Sequence, residues 1–193
     1  MPKLKEHTGK RLGRQFFRQS AIEVSSQLLG AIMVRRVGGT IRRARVVEVE
    51  AYLGPRDLAS HSARGRTRRT EVMFGPAGHA YVYFIYGMHW MFNIVVGTTG
   101  EAEAILLRAA EPLDDWDANL IGPANLAKSF RITGADNGDD ITTGDNIHFL
   151  RDGKYTPRLV RGKRIGIAYA KHWQHRHLRF IDGANRVAGK LRS

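Results

Sequence analysis

The chain has no cysteine among its 193 residues, which removes disulfides, thiolate metal sites and cysteine nucleophiles together. No apolar run approaches the roughly 20 residues that a membrane-spanning helix requires. The basic opening MPKLKEHTGKRLGRQFF lacks the apolar block of a secretory signal. A soluble intracellular protein is the expectation. Acidic residues are scarce: 18 Asp and Glu stand against 31 Lys and Arg, leaving a net charge of +13. Such a field attracts polyanions and speeds encounter with them. Nucleic acid is the first candidate partner and an anionic membrane surface the second. Also missing are a Walker loop, a GxGxxG after a strand, an HExxH and a GxSxG. What remains is acid–base chemistry, with no cofactor expected.

With 42% hydrophobic residues the chain is long enough for one well-buried core, and neither an internal repeat nor a composition break marks a second domain. Residues 1–15 read as a flexible basic arm and 16–193 as the folded domain. A helix is expected over 17–30, with apolar Ile22, Val24, Leu28 and Leu29 and a glycine stop. Strands are expected over 31–37 and 41–53, joined at Gly38-Gly39. Further strands follow over 81–84, 91–96 and 104–109, with turns at Gly87 and at 97–100. Nearly every position of 81–84 is bulky and apolar, so that strand reads as covered on both faces, its aromatics mostly in the core. Arg108, inside ILLRA, needs a buried acceptor, because an unpaired charge there would be costly. GPANLAKSF reads as a short helix with proline near its start. Closing strands are expected over 147–150 and 165–169, with Arg161, Lys163 and Arg164 as a basic flank.

The chemistry concentrates between Val46 and Asn93. In VVEVEAYLG the residues alternate: Val47, Val49, Ala51 and Leu53 fall on one face, Glu48, Glu50 and Tyr52 on the other. The two acids have Cα atoms on the order of 6.6 Å apart, which invites comparison with the carboxyl pairs of inverting glycosidases. Same-face neighbours point in parallel, however, so one catalytic acid with a structural partner fits better. The long connection 56–80 carries Arg64, Arg66, Arg68 and Arg69. It is either a phosphate clamp built on arginine's planar fork or a solvated, charge-rich loop. If the substrate is a base inside duplex DNA, the base must be extruded and held between aromatic groups, and the gap it leaves must be filled. Tyr52, His61 and Tyr83 can supply such walls, and Tyr86, beside Gly87, the wedge. Glu50 can activate a water against the glycosidic carbon and favour the positive charge that develops on the sugar. The acids of ADNGDDITTGD do not follow EF-hand spacing, and His172 and His175 stand among cations without a nearby carboxylate. A turn-rich loop and surface histidines are expected there, and no metal site.

At this point EVEAYLGPRDLASHS, MFGPAGHAYVYFIYGMHWMFNIV and ILLRAAEP, in that order, resemble the alkyladenine (3-methyladenine) DNA glycosylase family. The likeness runs on through GPANLAKSF to RIGIAYA. It implies a single mixed α+β domain around a curved, mainly antiparallel sheet with surrounding helices, the glycosylase domain being 16–193. It implies a monofunctional enzyme acting as a monomer on double-stranded DNA that contains a damaged purine. Its place is inside the cell with the DNA, in the cytoplasm or nucleoid if the source is bacterial, and no membrane partner is expected. Glu50 then matches the general base and Arg108 the arginine that holds the attacking water with it. Tyr52, His61 and Tyr83 match the pocket walls, and the main-chain N–H of His61 a donor to the purine edge. Tyr86 matches the inserted tyrosine, and Asn93 the side chain that disfavours guanine. A carbonyl within Ile165-Gly166-Ile167 matches a further contact to the water. The competing reading is a non-catalytic basic nucleic-acid-binding protein, in which Glu50 forms only a structural ion pair. It explains the charge, the arginines and the aromatics equally well. It does not explain an acid beside a stacking tyrosine, because a carboxylate opposes phosphate binding.

Overall fold

The turn at Gly38-Gly39 closes a hairpin in which β2 (Ile32–Val37) and β3 (Thr40–Tyr52) run antiparallel, Val37 opposite Thr40 and Ile32 opposite Arg45. The computed structural model describes residues 9–189. β3 is 13 residues long and serves three partners. Its first half takes β2, residues 48–50 take β9 (Arg179–Asp182), and its other edge takes β6 (Glu103–Pro112) over 44–52. Beyond β6 lie β5 (His89–Val96) and then β4 (Ala80–Ile85). Beyond β2 lie β7 (Ile147–Arg151) and β1 (Lys10–Arg11), while β8 (Leu159–Gly162) adds to β9. Helices α1 (Arg14–Phe17), α2 (Ala21–Leu28), α3 (Pro123–Ser129) and α4 (Arg186–Gly189) complete the fold. Among the described residues it is α+β, an unclosed antiparallel sheet of nine strands with four helices.

The main core lies between α2, α3 and one face of the sheet. Phe17, Val24, Leu28, Met33, Val49, Phe92, Ile105, Leu126, Phe130, Phe149 and Phe180 meet there, all fully buried. Each large apolar side chain so placed contributes roughly 1.5–3 kcal/mol of transfer free energy. The helix expected from residue 17 begins instead at Ala21. Ser20 and Glu23 form a reciprocal capping box there, the Glu23 carboxylate accepting from the Ser20 N–H at 3.1 Å. Phe17 closes the separate turn α1, its ring 6.4 Å from Phe149.

Three further expectations change. Residues 1–8 of the expected arm lie outside the described residues; from Lys10 the chain is already paired to β7, and Leu12 is buried. The strand over 165–169 does not form. The last ladder is β8 with β9, and 163–170 runs as bends and turns around Gly166, whose φ of +77° lies outside the β region. Finally, β4 is covered only at its start: Tyr81 and Val82 are buried, while Phe84 is exposed.

Part of the basic surplus is internal. Arg35 reaches Asp136 at 2.7 Å, Arg43 reaches Asp114 at 3.3 Å and Arg45 reaches Asp152 at 2.9 Å, so arginines of the β2–β3 hairpin pin three loops.

Candidate active site

Two irregularities in the β3–β6 ladder build the floor of the site. Glu50 faces Leu106 and Val49 faces Leu107, but Glu48 faces Ala109 and Val46 faces Ala110. Arg108 on β6 and Val47 on β3 are thus left without a partner, as bulged residues are. The bulge turns the Arg108 guanidinium across β3. Its Nε donates to Glu48 Oε1 at 3.2 Å and lies 3.4 Å from Glu50 Oε1, which supplies the buried acceptor that ILLRA requires. The same bulge overturns part of the expected alternation. Val47 leaves the face of Val49 and Ala51 to pack with Ala109, Ile181 and Ala188, and Val46 takes its place in the main core. Glu48 and Glu50 do share a face with Tyr52. Glu48 is further held by Arg179 Nη1 at 3.2 Å, which suits a structural partner.

Glu50 is 0% exposed. Its Oε1 accepts from the Ile165 main-chain N–H at 2.8 Å, and its Oε2 accepts from the Tyr52 hydroxyl at 2.9 Å. Burial pushes the carboxyl above the usual carboxylate range, while Arg108, the Ile165 N–H and the Tyr52 hydroxyl pull it back and the nearby Glu48 adds to the rise. Burial, and then Glu50 itself, push the Tyr52 phenol well above its ordinary value, so it remains a donor.

Above this floor opens a cavity of about 260 Å³. Tyr52, His61, Tyr83 and Asn93 line it with Tyr81 and Arg108, and Tyr86 stands at its rim. The rings of His61 and Tyr83 meet edge-on at 4.5 Å, and His61 Nδ1 lies 2.9 Å from the Tyr81 hydroxyl. Burial first, then Arg69 and Arg64, bring the His61 imidazole down to about 4, so the ring is neutral at physiological pH. His61 opens a short 3-10 turn, and the first N–H groups of such a turn have no partner within it. The Asn93 amide donates to the Tyr81 carbonyl at 3.2 Å, which fixes its side chain at the cavity edge.

Tyr86 sits at the tip of the β4–β5 hairpin. Its φ is +53° and that of Gly87 +67°, the two positive values of a type I′ turn. A tyrosine in the left-handed region costs about 1–2 kcal/mol. Its ring is nonetheless 82% exposed, so packing does not explain it. Arg64, Arg66, Arg68 and Arg69 of the 56–80 connection are all exposed, but they differ in surroundings. Arg66 is forked onto Glu71 at 2.7 and 2.9 Å, and Arg69 lies 5.0 Å over the Tyr83 ring.

Some contributors were not legible in the sequence. Arg164, read from its neighbours as basic flank, is fully buried against Asp57 and 4.7 Å over the Tyr52 ring. Nothing local distinguishes it from Arg161 or Lys163, since its partner lies 107 residues away. Tyr81 and Arg179 are hidden likewise within apolar or basic runs. His172 and His175 are exposed on the turn Lys171–His175, and among the described residues no three His, Asp or Glu come together as metal ligands would.

An aromatic-lined cavity over a buried, oriented carboxylate, in a strongly basic chain, is the arrangement of an enzyme that acts on nucleic acid. The comparisons with known proteins agree and are more particular. The chain matches the family described as methylpurine-DNA glycosylase over residues 15–186, and it belongs to that family of DNA-repair hydrolases. Similar chains carry the provisional name 3-methyladenine DNA glycosylase. One from Anaeromyxobacter sp. (strain Fw109-5) is 45% identical over 95% of this chain and 96% of its own. One from Legionella pneumophila (strain Corby) is 42% identical over 94% and 99%. One from Myxococcus xanthus (strain DK1622) is 46% identical over 84% of each.

Proposed function

We propose that the protein, as a monomer, takes damaged purines out of duplex DNA and hydrolyses their N-glycosidic bonds, leaving an abasic site. The purines are 3-methyladenine, 7-methylguanine, hypoxanthine and 1,N6-ethenoadenine. One observation carries this reading: Glu50 is completely buried, yet all its donors orient it beneath an aromatic cavity. A phosphate-binding protein gains nothing from such a carboxylate. At about 260 Å³ the cavity is a little smaller than pockets for drug-sized ligands, which suits one heterocycle.

The roles follow from the contacts. Oε1 of Glu50 is taken by the Ile165 N–H and Arg108, whereas among the described residues Oε2 accepts only from Tyr52. A carboxylate oxygen has two lone-pair directions, so Oε2 keeps one for the attacking water. Arg108 and a carbonyl within Ile165-Gly166-Ile167 hold that water from other sides. Water adds to the anomeric carbon as the bond to the base breaks. The base leaves with the bonding electrons, and Glu50 takes the water's proton while its charge favours the cationic sugar. Tyr52, His61 and Tyr83 enclose the base, the His61 N–H donates to its edge, and Asn93 excludes guanine by its exocyclic amine.

The test is single-turnover release of base from duplexes carrying hypoxanthine or ethenoadenine, and from methylated DNA. Release defines a glycosylase and its lesion preference. Tight duplex binding with no release from any substrate would instead establish the binding-module reading.

Two predictions belong to the DNA contacts. Tyr86→Ser is expected to weaken lesion-duplex affinity roughly tenfold to a hundredfold, the worth of one stacking contact. Unchanged affinity and excision would remove Tyr86 from the wedge role. Arg64, Arg66, Arg68 and Arg69 face phosphate oxygens in this reading, so binding falls steeply with salt. Replacing Arg64 and Arg68 together by glutamine should lower the slope of log affinity against log salt by about 2. A slope that does not change would take both off the backbone.

A further inference from the structure

Asp57 and Arg164 take no part in the chemistry above, yet they form a fully buried ion pair. Arg164 Nη1 and Nη2 donate to the two Asp57 oxygens at 2.5 and 2.8 Å, and Nη1 also donates to the Ala51 carbonyl at 2.8 Å. Asp57 accepts further from the Leu53 and Ala59 N–H groups, each at 3.0 Å. Burying such a pair is a poor way to gain stability, because desolvation offsets the attraction. Its place is more telling. The β8–β9 ladder ends at Gly162, and 163–170 has no ladder to set its register. In that segment Ile165 and Tyr169 are partly exposed along the cavity, while Ile167 and Ala170 pack on Ala59. Arg164 is the anchor: it ties the segment to the end of β3, to the following loop and to the Tyr52 ring. The next residue, Ile165, is the one whose N–H meets Glu50.

We propose that the Asp57–Arg164 pair is a positioning device that registers the 163–170 segment on β3, so that the Ile165 N–H is delivered to Glu50 and the Tyr52 ring is held under the extruded base. This rests on the glycosylase reading of the site. The other groups facing Glu50 are Glu48 and Tyr52 on β3, Arg108 on β6 and Tyr83 on β4, with Arg179 of β9 behind Glu48. Only the Ile165 N–H depends on a segment without a ladder. Since that N–H favours the ionised carboxylate, its loss lets burial raise the acid limb of the pH–rate profile.

The experiment compares wild type, Arg164→Lys and Ile165→Pro. Arg164→Lys keeps the charge on Asp57 but loses the fork; Ile165→Pro removes the N–H and keeps both side chains of the buried pair. Single-turnover excision is followed against pH, with lesion-duplex affinity and thermal stability measured beside it. Both variants are expected to excise at least about tenfold more slowly at pH 7, within the range a positioned base provides, with affinity changed less. Their acid limbs should move up and their rates recover as pH rises. In the wild type, the Ile165 amide resonance should titrate with the midpoint of the kinetic acid limb. Lowered stability with wild-type rates and an unmoved acid limb would reduce the pair to a staple and overturn the proposal. If Arg164→Lys does not fold, Ile165→Pro and the amide titration decide the matter. A wild type that releases no base sinks the glycosylase reading itself, whereas an active wild type matched by its variants sinks only the positioning role.

Discussion

Glu50→Gln is expected to lower single-turnover excision by about 10³-fold, inside the span that general acid–base groups provide, while leaving lesion-duplex affinity near the wild-type value. Glutamine fills the same space, and its amide oxygen can still accept from the Ile165 N–H. The Tyr52 hydroxyl can turn to accept from the amide nitrogen, and Arg108 keeps Glu48. The proton acceptor is lost and the architecture is not. Stability moves the other way. The Glu50 pKa is raised in the fold, chiefly by burial. Its contribution to stability is therefore complete below its unfolded value and lost as pH rises through the folded one. Above the folded value the buried charge is a liability, and glutamine removes it. The variant should melt no lower than wild type at pH 7 and lose that advantage in acid. A folded variant that excises as wild type does removes Glu50 from the role of base, and one that unfolds traces the lost activity to the fold. A binding protein would show neither loss.

How far the site could be read before the fold was known depended on the range of the interactions. The hairpin at Gly38-Gly39 and the helix Pro123–Ser129 are written in neighbouring residues, and they formed as expected. Glu50 and Tyr52 were legible as a pair because strand alternation persists from Glu48 onward. Val47 was misplaced because its bulge answers to β6, and no glycine or proline in VVEVEAYLG before the turn marks it. Arg108 was recognisable as anomalous, though its partners lie 58 to 60 positions back along the chain (108 − 50 and 108 − 48). Segment 165–169 looked like a strand because it is apolar. It is held instead by Arg164, whose acceptor Asp57 belongs to another loop. The parts of the site set by period or turn chemistry are visible in a sequence; those set by pairing across the sheet are not.

Arg108→Gln is the second large effect, and its pH dependence separates electrostatics from packing. The guanidinium lies between two buried carboxylates, 3.2 Å from Glu48 and 3.4 Å from Glu50. It is the largest influence opposing burial at Glu50. Without it Glu50 binds its proton more tightly, so fewer molecules carry an ionised base at pH 7. Excision should fall about 10²-fold at that pH, with the acid limb displaced upward and part of the rate restored in alkaline buffer. Breaking a buried ion pair costs about 3–5 kcal/mol; the loss here should be smaller, because Glu48 keeps Arg179 at 3.2 Å. Arg108→Lys keeps the charge but shortens its reach, so its acid limb should lie between those of wild type and the glutamine variant. The decisive measurement is the pH–rate profile of the three proteins, with thermal melts to count the folded fraction. Equal acid limbs in all three would mean that Arg108 does not govern Glu50, and would leave it as the buried partner of Glu48. An ordered displacement would show that the bulge in β6 exists to place a charge, since an unbulged strand would carry residue 108 away from both acids.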